Sequence, residues 1–259
     1  MSMHPENLPR ITPETALFLD FDGTLVALAA EPELVEVPQG LAGMLAELHR
    51  GLDGALALVS GRRLLDLDSF LAPLLLPAAA EHGAQRRTAD GLMVSAPPAD
   101  LGPLLQAAQG LVTRHPALKL EHKNLALSLH YRQAPELEAL CLQVMREALN
   151  RSEGIELMQG KCVLDLKPEG FSKGTAIAFF MTEAPFAGRV PVFAGDDVTD
   201  EAGFEAVQRI GGHAIKVGPG PTLARHRCAS VAQLAAWLQS AVAALPGTGL
   251  PASGPGFAA

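Results

Sequence analysis

The stretch Ala16-Leu17-Phe18-Leu19-Asp20-Phe21-Asp22-Gly23-Thr24-Leu25 decides how the rest of the chain is read. Its first four residues form an apolar run of strand length closed by a turn signal, which reads as a buried strand. Asp20 and Asp22 would point the same way if the strand ran on, but Gly23 breaks it and lets the backbone fold tightly. Two acids are thus held close at the carboxyl end of a strand, where open α/β sheets bind ligands. Carboxylates packed this closely repel unless a cation lies between them, so a bound metal ion is expected. Asp and Gly also make plain polar turns. The full DFDGTL pattern behind an apolar strand, with three further elements following in order, sets that alternative aside.

Val59-Ser60-Gly61-Arg62 ends the apolar run 55–59. A hydroxyl and adjacent backbone N–H groups at a helix start make an anion site, and the same residues also suit a Ser N-cap with Gly61 in the turn. Gly170-Phe171-Ser172-Lys173-Gly174 opens a helical pattern. A lysine there runs against the helix dipole, which asks for an anion nearby, although exposed lysines occur at such ends too. Gly195-Asp196-Asp197-Val198-Thr199-Asp200-Glu201 places four acids within six residues, just past the apolar run 190–194. Hard oxygen ligands at a strand end favour Mg²⁺, while Asp200 and Glu201 also suit the start of a helix.

The surrounding pattern predicts an α/β fold. After a loose leader over 1–15, strand 16–20, helix 40–50 and strand 55–59 form a βαβ unit with a parallel sheet, and a third strand over 75–80 ends in Glu81-His82-Gly83. The texture then changes to α-β-β-α-β-β: helix 97–114, strands 118–122 and 125–132, helix 135–150, strands 155–158 and 162–166. The βα rhythm returns with helix 172–181, strand 190–194, helix 200–209, strand 214–217 and helix 231–242. The expected organisation is a Rossmann-like parallel-sheet core from 1–91 and 167–245, with an inserted α+β module over 92–166. The tail 246–259, rich in Pro, Gly, Ser and Ala, is expected to be disordered.

Composition narrows the classes. The 259 residues carry a net charge of −8, and 48% are hydrophobic, enough for a sizeable core. The acidic balance, pI about 5.5, disfavours a nucleic-acid partner. An anionic small-molecule substrate stays open, because a few local cations decide that. Cys141, Cys162 and Cys228 are widely spaced, with no CxxC, so neither a disulfide framework nor a zinc site is expected and a reducing compartment fits better. Met1 to Arg10 lacks the pattern of a signal peptide. The longest apolar run, 71–80, is short and holds Pro73 and Pro77, so no membrane span is expected. The protein reads as soluble and cytoplasmic, with its oligomeric state left open.

The four elements, in this order, resemble the motifs of the haloacid dehalogenase superfamily of phosphotransferases. That resemblance implies a HAD-like core in which Asp20 is the nucleophile that becomes an aspartyl phosphate. Asp22 would be the general acid for the leaving alkoxide and then the base that activates water. Ser60, with Gly61 beside it, would hold a phosphate oxygen, and Arg62 would make a substrate or structural contact. Lys173 would bind the phosphate and steady Asp20. Mg²⁺ would sit on Asp196, the Asp20 carboxylate and the backbone carbonyl of Asp22. Asp197 and Asp200 would act through water or orient Lys173. The chemistry is sound in its own terms: a carboxylate attacks phosphorus only if the phosphate charge is screened, and a second carboxyl donates a proton only if its neighbours raise its pKa.

The inserted module lies where this superfamily places a specificity cap, and its element order resembles the larger cap type of sugar phosphatases. Glu81-His82-Gly83, Glu121-His122-Lys123-Asn124, Ser128-Leu129-His130-Tyr131-Arg132 and Gly160-Lys161-Cys162-Val163-Leu164-Asp165-Leu166-Lys167-Pro168, together with the GFSKG and GDDVTDE forms, resemble the trehalose-phosphatase family over about 16–240. This implies a Mg-dependent phosphomonoester hydrolase acting on trehalose 6-phosphate, the last step of trehalose biosynthesis. In that family a Glu-x-Lys pair, here Glu121 and Lys123, and a later Glu grip the distal glucose. Asp165 stands at the later position, one methylene shorter, so that a water would make up the reach. The Glu121/Lys123 pair also suits a solvated cross-strand ion pair, and His82 and His130 read as packing histidines. Two alternatives remain at this point. One is a phosphatase of the same cap type acting on sucrose 6-phosphate or mannosyl-3-phosphoglycerate. The other is a non-catalytic phosphosugar sensor, against which the intact Asp20, Asp22, Lys173 and Asp196 argue.

Overall fold

The structure is a computed structural model that describes residues 8–29 and 34–246. The first seven residues of the expected leader, and the expected disordered tail from 247 onward, lie outside the described residues. In chain order the elements are β1 (Thr15–Leu19), α1 (Leu41–Gly51), β2 (Leu56–Val59), α2 (Leu64–Leu71), β3 (Ala78–Ala80), β4 (Gln85–Arg87), β5 (Met93–Ser95), α3 (Gly102–Arg114), β6 (Lys119–His122) and β7 (Leu127–His130). They continue with α4 (Glu138–Leu149), β8 (Ile155–Gly160), β9 (Val163–Pro168), α5 (Lys173–Phe180), β10 (Val190–Gly195), α6 (Glu201–Arg209), β11 (His213–Val217), β12 (His226–Cys228) and α7 (Val231–Ala244).

Two sheets result. The larger has the order β12-β11-β10-β1-β2-β3-β4-β5. Every residue of β1, β2 and β3 is buried, because helices cover both faces, and strands covered on both sides read as continuous apolar runs. The core around β1 is aromatic: Phe18 stacks on Phe186 at 5.4 Å between ring centroids and meets Phe180 at 5.9 Å. Burial of side chains of this size contributes about 1.5–3 kcal/mol each.

The smaller sheet is antiparallel, in the order β6-β7-β9-β8. Its register sorts its faces. Leu120, Leu129 and Leu164 lie opposite one another across β6, β7 and β9, and with Leu104, Leu111, Cys141 and Met145 of α3 and α4 they build a second hydrophobic core. One residue along, Glu121, Ser128 and Asp165 form the matching row on the other face.

The structure corrects the expected organisation in three places. The larger sheet is mixed, because β4 and β5 join it antiparallel. Met93–Ser95 therefore belongs to the larger sheet, and the last strand of the smaller one runs to Pro168, so the boundaries 92 and 166 are displaced. Gln85-Arg86-Arg87 has no apolar periodicity to announce a strand, and β12 is equally short. Helix α3 starts at Gly102 rather than near Pro97, with Pro103 in its first turn, the one place a helix accepts proline. Among the described residues no helix is long and apolar enough to cross a membrane.

Candidate active site

Strand register brings the acids together. β1 and β10 run parallel with Leu19 opposite Ala194, and the Asp20 N–H donates to the Ala194 carbonyl at 3.0 Å. Asp20 and Asp196 therefore leave the sheet side by side. The chain builds one half of the sheet outward from β1 and the other from β10, so this is the switch point at which α/β sheets bind ligands. Gly23 makes the approach possible. Its φ is +74°, and a Cβ there would lie 2.3 Å from the Asp196 carboxylate.

Lys173 is the first residue of α5, which Ser172 caps by accepting from the Thr175 N–H at 3.1 Å. Its Nζ donates to Asp20 Oδ1 at 2.7 Å and to Asp200 Oδ1 at 2.6 Å. Burial opposes the Lys173 charge, but the two carboxylates outweigh it and hold the ammonium well above the usual lysine range. The acids feel the opposite balance. Burial first, then the neighbouring Asp200 and Asp196 charges, raise the Asp20 carboxyl against the pull of Lys173. Burial and Asp200 push Asp196 up to about 7.

Asp20, Asp196 and Asp200 offer carboxylate oxygens that all lie within 4.8 Å of one another. Lys173, with Lys216 donating to the Asp196 carbonyl, still leaves one of the three acids unmatched, and a surplus of hard oxygen donors in a buried pocket suits Mg²⁺. The donors are not equivalent. Asp200 has no exposed surface. Its Oδ1 serves Lys173, while its Oδ2 accepts from the N–H groups of Asp196 at 2.9 Å and Asp197 at 2.8 Å. Asp200 thus shapes the acidic loop and steadies the lysine. Asp20 and Asp196 face the cleft, and Thr24 Oγ1 donates to Asp20 Oδ2 at 3.3 Å. Asp197 Oδ2 accepts from the Lys161 N–H at 3.2 Å, tying the β8–β9 turn to the acidic loop.

Asp22 is held by Arg62, whose Nε and Nη2 donate to its two oxygens at 2.6 and 2.7 Å. The guanidinium lies 4.9 Å from the Phe70 ring centroid, so stacking and a bidentate fork fix it together. Ser60 is not the cap of α2, since that position is Arg63. Its Oγ accepts from the Arg62 N–H at 3.2 Å, and Ser60 and Gly61 line the cleft.

The smaller sheet supplies the opposite wall. Lys123 follows β6, and its Nζ donates to the Gly61 carbonyl at 2.7 Å, 3.7 Å from Asp165 Oδ1 and 4.0 Å from Glu121 Oε2. His130 Nε2 lies 3.1 Å from Glu121 Oε2. Burial opposes the Glu121 charge, but His130 and Lys123 bring its pKa below the ordinary value. Asp165 accepts from the Ser128 hydroxyl and lies 3.3 Å from His82 Nε2. Burial again works against charge, yet His82, Lys123 and Ser128 hold Asp165 well below the usual carboxylate range. Of the residues given a catalytic, substrate or metal role from sequence, all but Asp200 line this one cleft. His82 and His130, read as packing residues, also line it, as do Arg132 and Lys161. The signal for the last two was a cation just past a strand end, in Tyr131-Arg132 and Gly160-Lys161.

Comparison with known proteins follows the same lines. A family model described as Trehalose-phosphatase matches residues 18–234. A trehalose-6-phosphate phosphatase of Escherichia coli (strain K12) is 42% identical over 239 residues, covering 92% of this chain and 90% of its own. Among solved structures, the C-terminal domain of C. albicans trehalose-6-phosphate phosphatase aligns with a TM-score of 0.79 at 21% identity, over 90% of this chain and 93% of that one. A haloacid dehalogenase-like hydrolase from B. subtilis aligns at 0.59 and 13% identity, over 86% and 99%. At those identities the two structures speak for the fold, which is HAD-like.

Proposed function

The chain belongs to the trehalose-phosphatase family, and on that footing we propose that it hydrolyses trehalose 6-phosphate to trehalose and phosphate, closing trehalose biosynthesis, through an aspartyl phosphate on Asp20. One observation carries the reading. Lys173 bridges Asp20 and Asp200 at the switch point of the larger sheet, and it lines the same cleft as the polar row Glu121, Ser128 and Asp165. The first set suits a phosphoryl group and the second a polyhydroxylated sugar.

In the proposed reaction an Asp20 oxygen attacks phosphorus as the bond to the sugar oxygen breaks. Lys173 neutralises the incoming phosphate while it keeps the Asp20 carboxylate oriented. Ser60 and the Gly61 backbone hold a phosphate oxygen. Asp22 gives its proton to the leaving sugar oxygen, then takes one from the water that attacks the aspartyl phosphate, which frees phosphate and restores Asp20. Both Asp22 oxygens accept from Arg62, so one of those bonds is exchanged for the substrate as it seats. Mg²⁺, for which the carboxylates of Asp20 and Asp196 and the Asp22 carbonyl are suitable donors, would screen the phosphate charge.

We read the larger sheet, from the two flanking stretches of chain, as the catalytic core and the smaller sheet with α3 and α4 as its specificity cap. Glu121 and Lys123 would hold the sugar hydroxyls. Asp165 would act mainly by holding Lys123 and Ser128, or through a bridging water. Sugar binding on the cap would also exclude bulk water from the acyl phosphate.

The test is phosphate release from trehalose 6-phosphate, with and without Mg²⁺. It is run beside sucrose 6-phosphate, mannosyl-3-phosphoglycerate and p-nitrophenyl phosphate. The highest kcat/KM is expected for trehalose 6-phosphate. A higher value for another sugar phosphate overturns the substrate.

A further inference from the structure

A dipeptide outside the four motifs, Glu81-His82, follows β3 and joins three parts of the site. Both residues adopt left-handed backbone, with φ +48° and +59°. Side chains beyond glycine rarely enter that region, and they stay there where the surroundings over-determine them. Glu81 has no exposed surface and His82 is 5% exposed. Glu81 Oε2 accepts from the Leu125 N–H at 2.8 Å and Oε1 from the Asn124 N–H at 3.3 Å. Those two donors are the residues directly after Lys123, in the turn between β6 and β7.

His82 reaches the neighbouring strand. Its Nε2 lies 3.3 Å from Asp165 Oδ2, and its ring packs against Gly61, where an added Cβ would fall 2.5 Å from Cε1. Nδ1 is buried without a hydrogen-bond partner among the described residues. That places the proton on Nε2, donated to Asp165, since a bare lone pair is less costly to bury than an N–H. The backbone completes the junction: the Glu81 N–H donates to the Arg62 carbonyl at 2.9 Å and the His82 N–H to the Ser60 carbonyl at 3.0 Å. Ordinary packing explains none of this. An apolar pair would fill the space without a buried carboxylate, which is tolerated only through its charge-assisted bonds.

Building on the function proposed above, we propose that Glu81 and His82 are positioning residues for substrate selection: they dock Lys123 and Asp165 of the cap against the phosphate-holding loop Ser60-Gly61-Arg62. The pair touches no reacting atom. Its effect runs through the two cap residues, so it bears on the sugar more than on the phosphoryl chemistry.

The test is the ratio of kcat/KM for trehalose 6-phosphate to that for p-nitrophenyl phosphate in the full chain. Glu81→Ala and His82→Ala are expected to lower this ratio about tenfold or more, mainly through a higher KM for the sugar phosphate. His82→Gln retains an N–H donor towards Asp165 and should recover most of the ratio. Circular dichroism checks that each variant folds. Should an alanine variant not fold, Glu81→Gln carries the test, because it keeps the shape and turns an amide N–H₂ towards a backbone donor. A fall in its ratio supports the proposal. Equal losses on both esters, or an unchanged ratio, overturn it. If the wild-type enzyme prefers another sugar phosphate, the ratio is taken on that ester, so the substrate can be wrong while the positioning role is judged on its own result.

Discussion

The two walls of the cleft handle buried charge in different ways. On the larger sheet three acids outnumber Lys173 and Lys216, and Asp20 and Asp196 are pushed towards their protonated forms. On the smaller sheet Glu121 and Asp165 are each matched by cations or donors and are stabilised as carboxylates. The difference separates a wall with surplus negative charge from one whose charges are already matched. On the proposed function the first would hold a metal and a phosphate and act on any phosphate ester that reaches it. The second is preorganised without them, and its donors and acceptors suit a neutral polyol. Variants on the two walls should therefore separate in kinetics, and each experiment below either sharpens that separation or breaks it.

The largest effect is expected from Asp20→Asn. An amide does not form the acyl phosphate, so turnover of both trehalose 6-phosphate and p-nitrophenyl phosphate should fall more than about a hundredfold, or ~3 kcal/mol in barrier, with the fold intact by circular dichroism. A smaller loss in a folded variant breaks the covalent reading.

Metal removal comes next. Activity on both esters is expected to vanish in chelator and return with Mg²⁺, and calorimetric titration should show weaker Mg²⁺ binding for Asp196→Ala than for Asp197→Ala. Full turnover with metal verified absent would mean that the surplus acids serve something else.

Glu121→Ala and Lys123→Ala should act on one side of the comparison. Loss of a hydrogen bond to a charged group costs about 1.5–3 kcal/mol, or about ten- to a hundredfold in kcat/KM for trehalose 6-phosphate, with a much smaller loss on p-nitrophenyl phosphate. Asp165→Ala should move the same ratio less. Equal losses on the two esters would make the smaller sheet a support for the fold.

The smallest effect concerns pH. Burial lowers the His82 pKa from its ordinary 6.5 against the pull of Asp165, and Lys123 and Lys173 lower it further. A depressed pKa contributes stability that is present above the unfolded value and lost as pH falls through the folded one. Asp165, also depressed, lies below its ordinary 3.8 and loses its share only in stronger acid. Between about pH 7.5 and about pH 5.5 the wild-type melting temperature should therefore drop relative to that of His82→Gln, whatever the shared trend of the two proteins. Burial also depresses His49 and His213, while it raises Asp20 and Asp196, which gain stability as pH falls; these opposing contributions are a background shared by both proteins. Identical slopes would show that His82 is not held neutral by the junction.

Local composition carried much of the core. Apolar runs covered on both faces mark β1, β2 and β10, and each ends at the polar residues that line the cleft, Asp20, Ser60 and Asp196. The α-β-β-α-β-β order was visible for the same reason, since each element buries one patterned face. β4, β5 and β12 were not visible: three polar or exposed residues become a strand only because a neighbour pairs with them. The partners of the histidines were not legible, because a lone imidazole shows its partner only in space, as Glu121 does for His130.

By itself, then, the sequence determined where the strands end and which acids, hydroxyl and lysine stand at those ends, because burial and turn chemistry are local properties. Only the tertiary structure decided the pairings: Arg62 with Asp22, Lys173 with Asp20 and Asp200, Lys123 with Gly61, and Glu81 with the turn after Lys123. Most of these partners are far apart in the chain. Strand register and two left-handed residues bring them within hydrogen-bond reach, and neither is encoded in any short stretch of sequence.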